Sequence, residues 1–84
     1  MSTVMLTNEE AREVIAHNVG RLMGKRGMSQ RQLSVASGES DMAISRVVRG
    51  IHCPSAAMLA RIADALSVSV DDLLRRPRNF SKTA

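Results

Sequence analysis

The sequence predicts an all-α fold of five helices. Three observations carry that prediction. Apolar residues recur at three- and four-residue spacing along most of the 84-residue chain. A serine or threonine able to cap a helix stands before each such run. No segment alternates apolar and polar residues as a half-buried strand does.

The elements follow in order. Thr7-Asn-Glu-Glu10 reads as a capping box, with Thr7 as the cap and Glu10 reaching back. Ala11, Ile15, Val19 and Leu22 recur behind it, so a first helix is expected at about residues 8–25. Gly20 and Gly24 lie inside it, each costing about 1 kcal/mol against alanine, and Gly27 ends it. Ser29-Gln-Arg-Gln32 is a second capping box, for a helix from Gln30 to about Ser37 with Gly38 as its left-handed terminator. Ser40 caps a third helix, about Asp41 to Arg49, which Gly50 stops. Pro54-Ser55 precedes a fourth, with Leu59, Ile62, Ala63 and Leu66 on one face. Ser69-Val-Asp-Asp72 begins a short fifth helix carrying Leu73 and Leu74 and ending before Pro77. The chain thus divides into an N-terminal arm (1–7), a domain (8–76) and a flexible basic tail (77–84).

Composition narrows the function classes. With 44% hydrophobic residues the chain reads as globular, and its size makes the core marginal, so pairing with a second copy would help. Phe80 is the only aromatic residue, which argues against a platform for stacked bases. The lone cysteine, Cys53, allows no intrachain disulfide and fits a reducing cytoplasm. The start, MSTVMLTNEEAR, lacks a basic segment followed by a long apolar run, so no signal peptide is expected. No apolar run approaches membrane-spanning length, and no membrane partner is expected.

Net charge is +4, and its placement is uneven. Residues 17–52 carry Arg21, Lys25, Arg26, Arg31, Arg46 and Arg49 against Glu39 and Asp41. The last ten residues carry Arg75, Arg76, Arg78 and Lys82 and no acid. The remaining two stretches are acidic. A clustered basic surface is the footprint of a polyanion partner, although solvated charge gives the same composition.

The second and third helices are short and joined by a few residues containing a glycine, the arrangement of a helix-turn-helix. Leu33 from one and Ile44 and Val47 from the other face inward. Read together, GMSQRQLSVASGESDMAISRVVRGIHCPSAAMLARIADALSVSVDDLL resembles the lambda repressor/Cro (XRE-type) helix-turn-helix family over about residues 15–74. The matching pieces are Ser29-Gln30, Leu33, Gly38, Ile44-Ser45-Arg46, Arg49-Gly50, Pro54-Ser55, Leu59, Ile62-Ala63, Ala65-Leu66, Val68-Ser69, Asp71 and Leu73-Leu74. The resemblance implies a compact five-helix domain that binds operator DNA, usually as a dimer on a palindromic site. Some positions depart from the pattern. Met23 and Val48 stand where the family often pairs arginine with glutamate, and an apolar contact replaces a buried ion pair without loss. Ser34 stands where alanine is usual, Ser67 where a C-cap glycine is usual, and Glu39 where a small apolar residue is common.

The resemblance assigns site residues. The start of the second helix is expected on a phosphate, through backbone N–H groups after Ser29 and the Gln30 side chain, unless Ser29 is an ordinary cap. On the third helix Ser40, Asp41, Met42, Ser45 and Arg46 face away from Leu33 and Ile44 and are expected to read bases. Arg46 suits guanine, or else meets phosphate. Met42 suits a thymine methyl, or else fills a gap. Ser45 bonds a base, a phosphate or its own helix. Asp41 can accept from cytosine N4. Glu39 and Asp41 also complement the positive end of the helix. Arg49 is expected on phosphate or at the helix C-terminal dipole, with Arg31, His52 and Lys25 as weaker phosphate candidates. Arg75, Arg76 and Arg78 form either a basic arm or a solvated tail.

Catalysis and metal binding are not expected. His52 and Cys53 are neighbours and offer no oriented nucleophile and base, and one cysteine with two distant histidines lacks zinc-site spacing. Asp71 and Asp72 sit in the first turn of a helix, where acids belong. A small buried thiol is a simpler reading of Cys53 than a redox sensor. No cofactor is expected. Met58 and Ala65, off the core stripe of the fourth helix, suggest a dimer patch together with Val68 and Val70. The expected function is a cytoplasmic, sequence-specific regulator, a repressor occluding a promoter. The alternatives are an antitoxin with a toxin partner, and a protein-interaction adaptor of the same fold.

Overall fold

The computed structural model describes residues 7–77. Five α-helices occur among them: α1 Asn8–Arg26, α2 Gln30–Ser37, α3 Asp41–Val48, α4 Ala56–Ala65 and α5 Val70–Leu74. No strand occurs among the described residues. The N-terminal arm up to residue 6 and the tail from Arg78 onward lie outside this range.

Each helix starts on the expected cap. Thr7, Ser29, Ser40, Ser55 and Ser69 are extended, and the side-chain oxygen of each accepts from the backbone N–H three residues on. The return bond that completes a capping box is present at Glu10, Gln32 and Asp72. A cap of this kind stabilises by about 1 kcal/mol. Short helices need that help, because α2, α3 and α5 are too brief to persist alone.

The core gathers one face from every helix. Ile15 and Val19 of α1, Leu33 of α2, Ile44 and Val47 of α3, Ile62 of α4, Leu66 at its end and Leu73 of α5 are fully buried. α1 packs on α3 and α5, while α4 packs on α2 and α5. Met23 is buried and Val48 is partly buried against the core, so the two departures from the family pattern are both packed apolar residues. Met58 corrects an expectation. Placed on the outside by its position on α4, it is buried at 6% exposure. α4 is contacted by α2 as well as α5, which widens its apolar face beyond a single stripe. Ala65, Val68 and Val70 also pack against the core. The apolar patch expected for a dimer therefore loses its largest member.

Among the described residues Asn18 is the one large polar side chain in the core, 2% exposed. Its amide nitrogen donates to the Leu73 carbonyl at 2.8 Å and to the Arg75 carbonyl at 2.9 Å. Those carbonyls belong to the end of α5, which has no following turn to satisfy them. The middle of α1 thus supplies the C-terminal cap of the last helix.

The end of α4 repeats the end of α1 with one difference. At α1, Gly27 is left-handed (φ 63°) and Met28 N–H bonds the Met23 carbonyl. At α4, Ser67 takes φ 59° and Val68 N–H bonds the Ala63 carbonyl. A side chain in that region is strained, while glycine is not. Ser67→Gly is therefore expected to raise stability by about 0.5–1 kcal/mol, since glycine's looser unfolded chain offsets part of the relief. A denaturant midpoint that falls in this variant would count against the strain.

Asp72 is held below the usual carboxylate range. The main cause is the Ser69 backbone N–H, followed by the Ser69 hydroxyl; Arg75 and Arg21 add to it, and partial desolvation opposes it. A carboxyl depressed in the folded state stabilises above its unfolded pKa, and that stabilisation disappears as pH falls through the folded value. Asp72→Asn is thus expected to melt lower than the parent chain at neutral pH, and the gap is expected to close in acid below the carboxylate range. A gap independent of pH would assign the effect to shape rather than charge.

Candidate nucleic-acid interface

The α2–α3 turn sets the angle between the two helices of the motif. Gly38 is left-handed (φ 79°), and its N–H bonds the Ser34 carbonyl at 2.9 Å. The Ser34 hydroxyl donates to the Glu39 carbonyl at 2.5 Å, and Glu39 N–H donates to the Ser37 hydroxyl oxygen at 3.3 Å. Both serines are buried. Ser34, which stands where alanine is usual in the family, is a tie across the turn.

Glu39 has a more specific partner than a helix dipole. Arg61 of α4 donates through Nε to its carboxylate at 2.7 Å, and the Glu39 side chain is only 16% exposed. The acid anchors the turn to α4. Asp41 pairs with Arg31 of α2 at 3.4 Å, with both side chains more than half exposed. Such a surface pair is worth little and opens readily. The two acids at the start of α3 therefore differ: one belongs to the scaffold, the other to the surface.

A shallow depression runs along the outer face of α3. Gln30, Asp41, Met42, Ser45, Arg46 and Arg49 line it, together with Ile51 just past the helix. Six expected contact residues thus share one surface. Arg46 is exposed, and among the described residues no side-chain hydrogen bond or ion pair engages it. Arg49 donates to the Ser45 hydroxyl at 3.4 Å. Ser29 and Ser40 serve as caps at the adjoining helix starts, their oxygens accepting from Gln32 and Ala43 N–H. The caps leave the hydroxyl protons available to a ligand. His52 is exposed, and its backbone N–H bonds the Arg46 carbonyl at 3.4 Å.

Lys25 lies elsewhere. It lines a second depression with Asn18, Arg21, Asp72, Arg75 and Arg76. There the two basic residues that precede the tail fold back, Arg75 onto Asp72 at 3.3 Å and Arg76 onto Glu10 at 3.9 Å. Arg78 is outside the described residues. Cys53 is half-buried rather than enclosed. Among the described residues no group of three His, Cys, Asp or Glu side chains is placed to hold a metal ion, and no helix is long and apolar enough to cross a membrane. Ile51 is the lining residue that the sequence reading left without a role. Its one signal is an isoleucine in a polar loop directly after the stop glycine.

Residues 20–73 match the helix-turn-helix family. The chain belongs to that family, in its lambda repressor/Cro (XRE) type. An uncharacterized HTH-type transcriptional regulator of Sinorhizobium fredii is 31% identical to this helix-turn-helix protein over 65 residues, covering 77% of this chain and 84% of the relative. One of Mycobacterium tuberculosis is 47% identical over 49 residues, covering 58% of this chain. The chain spans 35% of the length of that mycobacterial relative. The crystal structure of the hypothetical transcription factor NHTF from Neisseria superposes with a TM-score of 0.79, covering 93% of this chain and 90% of the other at 24% identity, which shows the same fold. The matched residues include all of α2 and α3, the helices whose residues line the Arg46 depression.

Proposed function

We propose that this protein is a cytoplasmic repressor that binds double-stranded DNA sequence-specifically, as a homodimer on a palindromic operator, with α3 in the major groove. The observation that carries the reading is the shared surface on which Arg46 and Arg49 lie with Gln30, Asp41 and Ser45, open to solvent. Arg46 and Asp41 are the base readers, for guanine and cytosine respectively. Ser40 and Ser45 add hydroxyl contacts. Gln30, the amides after Ser29, Arg31, Arg49 and His52 meet phosphates, and Lys25 stands outside this group. Binding opens the Arg31–Asp41 pair, so one partner goes to the backbone and the other to a base. Repression follows from occlusion of a promoter.

The test is a titration on the gene's own upstream DNA and on random DNA, at several salt concentrations. The operator is expected to bind at least about a thousandfold more tightly than random DNA. The logarithm of the binding constant is expected to fall with log salt by about 0.9 per phosphate contacted. Arg49→Ala is expected to weaken all sequences alike and to reduce that slope by about one. Equal weak binding to both DNAs would reject a specific regulator and favour an adaptor.

A further inference from the structure

We propose that Met42 and Ile51 form an apolar rim around Arg46 that recognises the C5-methyl group of pyrimidines, so that binding responds to methylation of that carbon on thymine and cytosine alike. This rests on the DNA-binding reading above and assigns Ile51 a specificity role that its loop position does not announce.

The exposed large hydrophobic residues among those described are Val35, Met42 and Ile51, at 73%, 61% and 56% exposure. Val35 stands on α2, outside the depression. Met42 and Ile51 both border it, with Arg46 between them in sequence. Met42 lies one helical turn before Arg46, and so on the same face of α3. Ile51 is tied to the end of that turn, its backbone N–H donating to the Arg46 carbonyl at 3.0 Å. Neither side chain contributes to the core cluster. The fold gains nothing by holding them in water, whereas a partner surface that buries them does.

The floor of the major groove offers one apolar feature, the methyl group on C5 of thymine. 5-Methylcytosine presents a methyl group at the equivalent place and keeps the N4 amine that suits Asp41. Methionine is flexible and adapts to the exact position of a methyl group. The branched isoleucine is stiff at χ1 and gives the other side of the rim a fixed shape. An arginine aimed at guanine between two apolar groups would read a guanine together with its pyrimidine neighbours.

The experiment selects bound sequences from a randomised duplex library with the full chain. The enriched duplex is then titrated by fluorescence anisotropy with each thymine replaced in turn by deoxyuridine and each cytosine by 5-methylcytosine. At least one uracil replacement per half-site is expected to weaken binding by about fourfold, the effect of one buried methyl group. A cytosine placed at that position is expected to bind better when methylated, by a similar factor. Met42→Ala and Ile51→Ala, both at exposed positions, are each expected to remove the thymine–uracil difference at one position and to weaken binding of the thymine duplex by a similar factor, about fourfold. The proposal is overturned if uracil is tolerated at every position of an enriched site, in which case the DNA-binding reading still stands. It is equally overturned if the uracil penalty survives in both variants. If no sequence is enriched, the DNA-binding reading fails and the methyl rim with it.

Discussion

Arg46→Ala is expected to relax specificity at one base pair per half-site, with a loss of about 1–3 kcal/mol in discrimination there. The guanidinium is exposed on the outer face of α3 and has no partner among the described residues, so its removal leaves the scaffold intact. Its neighbour Arg49 is already engaged by Ser45 and lies just past the last residue of the helix. The two arginines should therefore separate cleanly. One alters which base is preferred, and the other alters how strongly any DNA is held. The measurement is a set of affinities for every single-base variant of the bound site, for parent and variant proteins. An unchanged pattern of preferences in Arg46→Ala would show that Arg46 does not read a base.

The largest effect on stability is expected from Asn18→Leu. Leucine matches asparagine in shape but donates no hydrogen bond, so the carbonyls of Leu73 and Arg75 lose their donor. A buried polar group left without a partner costs about 1–3 kcal/mol, which puts the loss for the pair at roughly 2–6 kcal/mol. A domain of this size has a total stability of roughly 4–12 kcal/mol, so the variant forfeits a large part of it. Urea unfolding measures the change directly. A midpoint equal to that of the parent chain would mean that water replaces the lost donor.

Local chemistry was legible in the sequence. The caps at Thr7, Ser29, Ser40 and Ser69 and the glycine stops at Gly27 and Gly38 depend on residues at most a few positions apart, and the five helices follow from them. The surface of α3 was legible because helical spacing separates Arg46 from Ile44. The ties that act between helices were not. The Glu39–Arg61 pair spans 22 residues, and the Asn18 bonds span 55 and 57. Nothing near Asn18 in the sequence marks it as a cap for a helix that follows it by more than half the chain. Met58 was misplaced for a related reason, since the second helix packed on α4 is invisible in α4's own periodicity. Ile51 escaped because loops carry no periodic signal.

The Asn18 tie also has a consequence for the order in which the molecule is made. Its partners are the carbonyls of Leu73 and Arg75, so its donors stay unmatched until almost the whole domain has been synthesised. A nascent chain that ends after α4 carries every residue of the helix-turn-helix yet exposes the faces of α1 and α4 that α5 covers. Bringing residue 18 to residue 75 closes a long loop, an entropic cost met only once α5 is there to reward it. The α3 helix therefore becomes firmly positioned only after α5 has been made rather than when α3 itself leaves the ribosome. A fragment cut before Leu73 is, on this view, a partly collapsed chain rather than a smaller binding domain.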